Sequence, residues 1–383
     1  MSNTILLTGA TGNLGAPLLA ALLARDDIGG VAVLVRAGSQ NEALSRIEEA
    51  LTLATGRSPY AKSLSRLQAL CGDITEPHLG LGTSEYHRLE RSVTLIAHVA
   101  ASTQFTLPIE AARRINCQGT RQVLELAKTC ASGGKLRRIV HVSTAFVCGA
   151  RSGDTREDDS ETAAEFTNSY EQSKWETEQM IHREFCDLPV TIVRPTIVVG
   201  DSHSGRIVSC NVMYTPLRWI AQGRVTKFYC SPDTRLDVVS TDYVTDAITY
   251  LLMRPHRFSS GTVHLCAGVE RSMTVGEIVD AVLGMSNRST GSQGARQAGI
   301  VWCPEDERPT GRPSPLNAYH PYMSVERNFD IARRESVLDS AGISPRHLQE
   351  YLPNILQFCL ETGWKKRPHT ILCDETRGRI CAA

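Results

Sequence analysis

An α/β fold, built on a doubly wound parallel sheet with a smaller, mainly helical C-terminal part, is predicted by three features of the sequence. Short apolar runs alternate with helical patterns through the first 270 or so residues. The runs are apolar at nearly every position, as strands covered on both faces must be. The first run ends in glycines at every third position, Gly9, Gly12 and Gly15, which lead into an apolar helical pattern. At 383 residues the chain is long enough for a full core.

Composition narrows the class. Hydrophobic residues make up 42% and charged residues 21%, the balance of a soluble globular protein. The 41 basic and 41 acidic side chains cancel, so there is no electrostatic footprint for nucleic acid or an anionic membrane. Twelve cysteines are scattered singly, with no CxxC pair and no Cys/His cluster of ligand spacing, so no metal site is expected and the thiols read as small core hydrophobes in a reducing compartment. Met1 leads almost directly into a strand, and no apolar run approaches ~20 residues; a cytoplasmic location without a transmembrane segment is the expectation.

Residues 4–9 form the first strand and PLLAALLA the first helix. A glycine turn between them makes an anion cradle, because glycine lets backbone approach a pyrophosphate and the helix end offers unpaired N–H groups and a positive dipole. Gly9, Thr11, Gly12, Asn13, Leu14 and Gly15 are the candidates for this dinucleotide-binding turn. The next strand, 31–36, ends in Arg36 where a carboxylate would grip the 2′-hydroxyl of NAD. Arg36, with Arg46 on the following helix, suits a 2′-phosphate instead, so NADPH is the expected cofactor.

Further strands are expected at 67–73, 94–100, 137–145 and 189–195, with helices at 109–130 and 169–185 among them. Ligands of such a sheet sit beyond the carboxyl ends of the strands. That rule gathers Asp73, Ile74, Ala100, Ala101, Ser143, Thr144 and Pro195, with Asp73 toward the adenine and the alanines along the nucleotide. His98 reads as a satisfied, half-buried histidine, and Asn116 either bonds neighbouring backbone or positions water. In the helix from 169, Tyr170 and Lys174 stand four residues apart on one face, so phenol and ammonium can act on one object. A lysine charge beside a phenol lowers the phenol pKa.

Residues 149–168 are polar and acidic and read as a loop over the carboxyl edge of the sheet. Met213, Tyr214, Leu217, Trp219 and Ile220 either wall a substrate pocket or pack a core. A segment at about 237–268 returns to the sheet; helices are expected at 274–285 and 344–364, with a long Gly/Ser/Pro-rich loop or lid, 286–321, between them. The boundaries expected are a nucleotide-binding unit over 1–200 with that returning segment, and a substrate-binding unit from the rest of 201–383.

TGATGNLG, HVAAS, VSTAFVCG and YEQSK occur in the order and approximate spacing of the extended short-chain dehydrogenase/reductases, which the chain resembles over about 1–270. LVR, YEQSKWETE, LPVTIVRPTIVVGDSHSG and RLDVVSTDYVTDAI are most similar to the thioester-reductase and fatty acyl-CoA reductase branch. The resemblance implies a Rossmann-type fold with Tyr170 as general acid, Lys174 on the nicotinamide ribose and lowering the tyrosine pKa, and Thr144 on the substrate carbonyl, with Ser143 as the adjacent candidate. It implies NADPH-dependent reduction of an acyl thioester to an aldehyde, which a second hydride would carry to an alcohol. The thioester would be a CoA ester or delivered in trans by an acyl carrier protein, since the chain shows no carrier domain. The alternatives on the same scaffold are a hydroxysteroid-type dehydrogenase and a sugar-nucleotide epimerase or dehydratase.

Overall fold

The computed structural model describes residues 3–59, 64–159, 165–254, 260–290, 300–308, 316 and 318–364. Seven strands form one parallel sheet: β1 (Asn3–Thr8), β2 (Ile28–Val35), β3 (Leu67–Cys71), β4 (Leu95–His98), β5 (Arg138–Val142), β6 (Val190–Pro195) and β7 (Gly261–Leu265). Their spatial order is β7-β6-β5-β4-β1-β2-β3, every pairing parallel. The order reverses at β1, which lies between β2 and β4. The crevice beyond the carboxyl ends of β1 and β4 is where a ligand can reach the sheet.

Six helices cover the sheet: α1 (Gly15–Leu23), α2 (Gln40–Thr55), α3 (Thr83–Ser92), α4 (Gly119–Ser132), α5 (Ser169–Glu184) and α6 (Thr241–Met253). The strand pleat sends alternate residues to opposite faces. Ile5, Leu7, Val33, Ala97, Val140 and Val193 pack with Leu18, Leu22, Ile47, Val244 and Ile248 of α1, α2 and α6. Leu6, Leu34, Ile96, Ile139 and Ile192 pack on the other side with Leu89, Val123, Leu124, Met180 and Ile181 of α3, α4 and α5. Two buried faces explain why these strands carry no polar alternation.

A separate core joins helices Tyr214–Ala221, Val275–Thr290 and Leu348–Glu361. Met213, Tyr214, Leu217 and Ile220 are buried in it, with Trp219 packed against it, so this set is core and not pocket wall. The segment 149–168 is not wholly a loop: Gly153–Thr155 pairs in parallel with Arg327–Phe329. Three polar-context residues whose partner lies far along the chain leave no local strand signal. Of 286–321, residues 291–299, 309–315 and 317 lie outside the described residues, as does the polar-basic tail 365–383; Val301–Trp302 pairs with Lys227–Phe228.

One buried ion pair ties α5 to the sheet. Arg194 of β6 and Glu178 of α5 are both 0% exposed. The guanidinium donates to Glu178 through Nη2 at 2.6 Å and Nε at 3.1 Å, and through Nη1 to the Glu157 carbonyl at 3.2 Å. Burial alone would raise the Glu178 pKa, but the charge and hydrogen bonds of Arg194 outweigh it and hold the carboxyl below its ordinary range. The Glu157 carboxylate accepts from the His264 N–H of β7 at 2.7 Å, extending the network to the edge strand.

Removing one partner of such a pair strands the other charge in a dry site. Arg194→Met is expected to cost about 3–5 kcal/mol in urea unfolding, and the double variant Glu178→Met/Arg194→Met far less. A single-variant cost below about 1 kcal/mol would show that the pair is not the clamp described.

Candidate active site

The glycine turn is shaped by close backbone approach. Gly9 has φ +77°, and a Cβ there would lie 2.7 Å from the Ala100 nitrogen. A Cβ on Gly15 would lie 2.0 Å from the Gly9 oxygen. Neither position accepts a side chain, whereas Gly12 is exposed. Leu14 occupies the N-cap of α1 without a side-chain cap bond; in the first turn the Ala16 N–H already donates to the Gly12 carbonyl at 3.1 Å and Pro17 has none, so the Gly15 N–H is the one turned to an anion. A dinucleotide pyrophosphate therefore fits this turn. Thr11 is half-buried beside it. The Asn13 side chain is used differently from a ligand contact: it donates to the Ser209 carbonyl at 2.9 Å and to Asn211 at 3.0 Å, and accepts from the Ser209 N–H at 2.7 Å. It stitches the 209–211 segment to the turn.

Arg36 is exposed just past the end of β2, and the Arg46 guanidinium donates to the Arg36 carbonyl. Asp73 accepts from the Thr75 N–H and hydroxyl at 2.9 and 3.0 Å, closing a turn after β3. Ile74 is buried; a Cβ on Gly119 would lie 2.7 Å from its Cδ1. Ala100 and Ala101 are half-buried after β4, the Ala100 N–H donating to the Thr8 hydroxyl at 3.2 Å, and Pro195 is buried at the end of β6.

Asn168 caps α5, its side chain accepting from the Glu171 N–H at 3.0 Å. The cap sets Tyr170 in the first turn, with Lys174 and Glu178 following at successive i+4 positions on one face. Thr144, just past β5, is 3% exposed and its hydroxyl is in hydrogen-bonding reach of the Tyr170 phenol. Ser143 is also buried, its N–H donating to the Val193 carbonyl at 2.8 Å. The structure thus brings Thr144, Tyr170 and Lys174 to one place, beyond the ends of β5 and β6.

The expected lysine effect on the tyrosine differs. Burial raises the Tyr170 pKa to about 12, against which the Thr144 hydrogen bond works. Lys174 turns instead to the strand end: its ammonium donates to the Val142 carbonyl at 2.7 Å and faces His141 Nε2 at 3.2 Å. Burial lowers the Lys174 pKa to about 8, partly offset by the Glu178 carboxylate. His141 is 1% exposed, and its pKa is driven well below the ordinary value by burial and then by the Lys174 charge. Its Nδ1 has no hydrogen-bond partner among the described residues.

His98 is buried and satisfied, Nδ1 at 2.7 Å from the Thr8 hydroxyl and Nε2 at 2.9 Å from the Thr120 hydroxyl. Asn116 lies in a π turn, Arg114–Gln118, and its side chain bridges the Ser102 backbone to the Ser173 hydroxyl of α5 at 2.8–3.1 Å. It bonds neighbouring groups and so braces α5. Sequence reading missed Glu178, which the i+4 stripe begun by Tyr170 and Lys174 would have given, and it missed His141, which no local pattern marks. Asp201, His203 and Asp242 bring ligand-type atoms within 4.8 Å of one another, beside a cavity of about 300 Å³ behind Asn13. Their carboxylates already accept from Ser202 and Ser204 at 2.6–2.8 Å, which accounts for the cluster as a turn.

Residues 7–248 match the family described as male sterility protein. A nonribosomal peptide synthetase, asaC of Aspergillus flavus, is 30% identical over 283 residues, covering 68% of this chain and 26% of the synthetase. The fatty acyl-CoA reductase wat of Drosophila melanogaster is 27% identical over 275 residues, 64% of this chain and 53% of that enzyme. The chain thus spans about a quarter of the first relative and about half of the second. The crystal structure of the terminal R domain from the myxalamid PKS-NRPS pathway superposes with a TM-score of 0.77 at 29% identity, over 96% of this chain and 92% of that one.

Burial of Lys174 has a measurable sign. The folded protein releases this proton near pH 8, whereas an ordinary lysine holds it to 10.5, so the penalty for a buried charge is complete below pH 8 and fades as pH rises. Relative to Lys174→Met, the wild type is expected to gain about 2–3 kcal/mol of stability between pH 7.5 and 10 in urea titrations. Parallel curves for the two proteins would contradict an uncharged-favouring site.

Proposed function

The chain belongs to the male sterility protein family, within the extended short-chain dehydrogenase/reductases, and from that premise we propose that it reduces acyl thioesters with NADPH. The observation that carries the reading is the meeting of the Thr144 hydroxyl, the Tyr170 phenol and the buried Lys174 beside a glycine turn that admits a dinucleotide. Gly9 to Gly15 would hold the pyrophosphate, Ala100 and Ala101 would lie along the nucleotide, and Asp73 with Ile74 would border the adenine. Arg36 and Arg46 would take the 2′-phosphate, since no carboxylate stands at the end of β2 to hold a free ribose hydroxyl. When bound, NADPH supplies the hydride.

The protein's part is orientation and proton supply. Thr144 and Tyr170 donate hydrogen bonds to the carbonyl oxygen as negative charge develops there. A phenol held near 12 keeps its proton at neutral pH, so Tyr170 serves as the acid. Lys174, moving from Val142, would hold the nicotinamide ribose, and its charge there would bring the phenol pKa down toward working pH. The product of this step, a tetrahedral thiohemiacetal, expels thiol to leave an aldehyde, and a second round gives an alcohol. Likeness to part of a peptide synthetase favours a carrier-bound acyl group, and likeness to a fatty acyl-CoA reductase favours a CoA ester. Both present the same thioester to Tyr170.

Incubation with NADPH and a panel of acyl-CoA esters, followed at 340 nm, is expected to show NADPH oxidation with free thiol equal to aldehyde and alcohol taken together. Tyr170→Phe should lower kcat by about 10²–10⁴-fold. Turnover of ketones or nucleotide sugars with no thioester reduced would replace this reading. Arg36→Ala should raise the NADPH KM about tenfold and leave NADH nearly unaffected, the pattern expected when a phosphate contact is lost. Equal losses for both cofactors would remove Arg36 from the 2′-phosphate site.

A further inference from the structure

Aromatic residues make up only 6% of the chain, so a group of five that includes Tyr170 calls for an explanation. Phe105, from the segment after β4, lies 6.2 Å from the Tyr170 ring, centroid to centroid. It stacks on Tyr322 at 5.3 Å and 18° and meets Tyr319 edge-on at 6.1 Å. Phe146, in the turn that begins at Thr144, packs T-shaped against Tyr322 at 4.8 Å. Phe105, Tyr170 and Tyr319 are half-buried, while Tyr322 and Phe146 are buried behind them.

The polar end of Tyr322 is already committed. Its hydroxyl donates to the Glu171 carboxylate at 2.5 Å and accepts from the Asn168 amide at 2.9 Å, fastening helix His320–Ser324 to the first turn of α5. The other Glu171 oxygen accepts from the Thr167 N–H and hydroxyl at 3.1 and 2.8 Å. The cation against this group, Arg327, 5.7 Å from the Phe146 ring, donates to the Gly149 and Pro321 carbonyls at 3.1–3.3 Å. Both charges are thus occupied, and the ring that meets Tyr170 in this group, Phe105, offers only aromatic carbon. A charged acyl tail against these rings would lose its hydration without an uncommitted charge from Glu171 or Arg327 to replace it.

We infer that Phe105, Tyr319 and Tyr322 form the acyl-binding wall of the site, selecting an apolar acyl group and placing its thioester carbonyl at Tyr170. The inference rests on the thioester-reductase reading and adds the substrate class to it. Phe105 and Tyr319 supply the contact surface. Tyr322, locked through Glu171, holds that surface in register with the catalytic helix.

The test compares decanoyl-CoA, acetyl-CoA and succinyl-CoA as substrates of the 383-residue chain, together with calorimetric binding of the non-reducible thioether S-decyl-CoA. Wild type is expected to prefer decanoyl over both others by kcat/KM. In Phe105→Ala that preference should fall about tenfold, through KM, with a matching loss of S-decyl-CoA affinity, whereas Phe105→Leu should stay within about threefold of wild type. Melting temperatures near the wild-type value would show that the variants are folded. An unchanged decanoyl preference and thioether affinity in folded Phe105→Ala, or a wild-type preference for succinyl, would overturn the wall. If the wild type reduced no thioester at all, the thioester reading itself would fall, an outcome distinct from turnover with an unmoved preference.

Discussion

The buried pair of Glu178 and Arg194 is the constraint on which the site depends. Tyr170, Lys174 and Glu178 occupy successive i+4 positions of one helix, so an anchor at the third fixes the other two in azimuth. Without that anchor a helix resting on Met180 and Ile181 could roll over the strands with little change in apolar burial. The ion pair supplies what the hydrophobic contact lacks, a single register between α5 and β6. Asn116 repeats the device nearer the reacting end, through Ser173, and Tyr322 repeats it at the first turn, through Glu171. Three polar links thus aim one face of a helix at the crevice.

Within that frame the electrostatics are those of a resting site. The phenol is protonated and raised by burial, and the ammonium is parked on the Val142 carbonyl beside a neutral His141. Burial makes the lysine charge expensive, and so responsive to whatever anionic or polyhydroxyl group enters the crevice. The expectation that Lys174 already lowers the phenol pKa fails here because Val142 and His141 hold the ammonium at the strand end. Under the proposed function, cofactor binding is the event that moves it.

Much of this was legible in the sequence. Strands buried on both faces announce themselves as unbroken apolar runs, and the glycines at 9 and 15 are dictated by backbone contacts that any side chain would break. Tyr170 and Lys174 share a helix, so their proximity followed from spacing alone. The paired strands at 153–155 and 327–329 were not legible, being short, polar in context and far apart in the chain. The aromatic group around Tyr170 was hidden for the same reason, since Phe105, Tyr319 and Tyr322 come from separate segments, whereas the locally dense set at 213–220 turned out to be ordinary core. Asn13 lies where a cofactor residue was expected, yet its side chain serves the chain's own 209–211 segment.

The central claim is that this helix face directs a hydride to a thioester carbonyl. Single-turnover reaction of NADPH carrying deuterium at the transferred C4 position with an acyl thioester, read by mass spectrometry of the trapped aldehyde, tests it most directly. The account predicts one deuterium at the aldehyde carbon for each thiol released, and loss of both when Tyr170 is replaced by Phe. Thiol release accompanied by unlabelled carboxylic acid, or label found only in a reduced ketone, would contradict it.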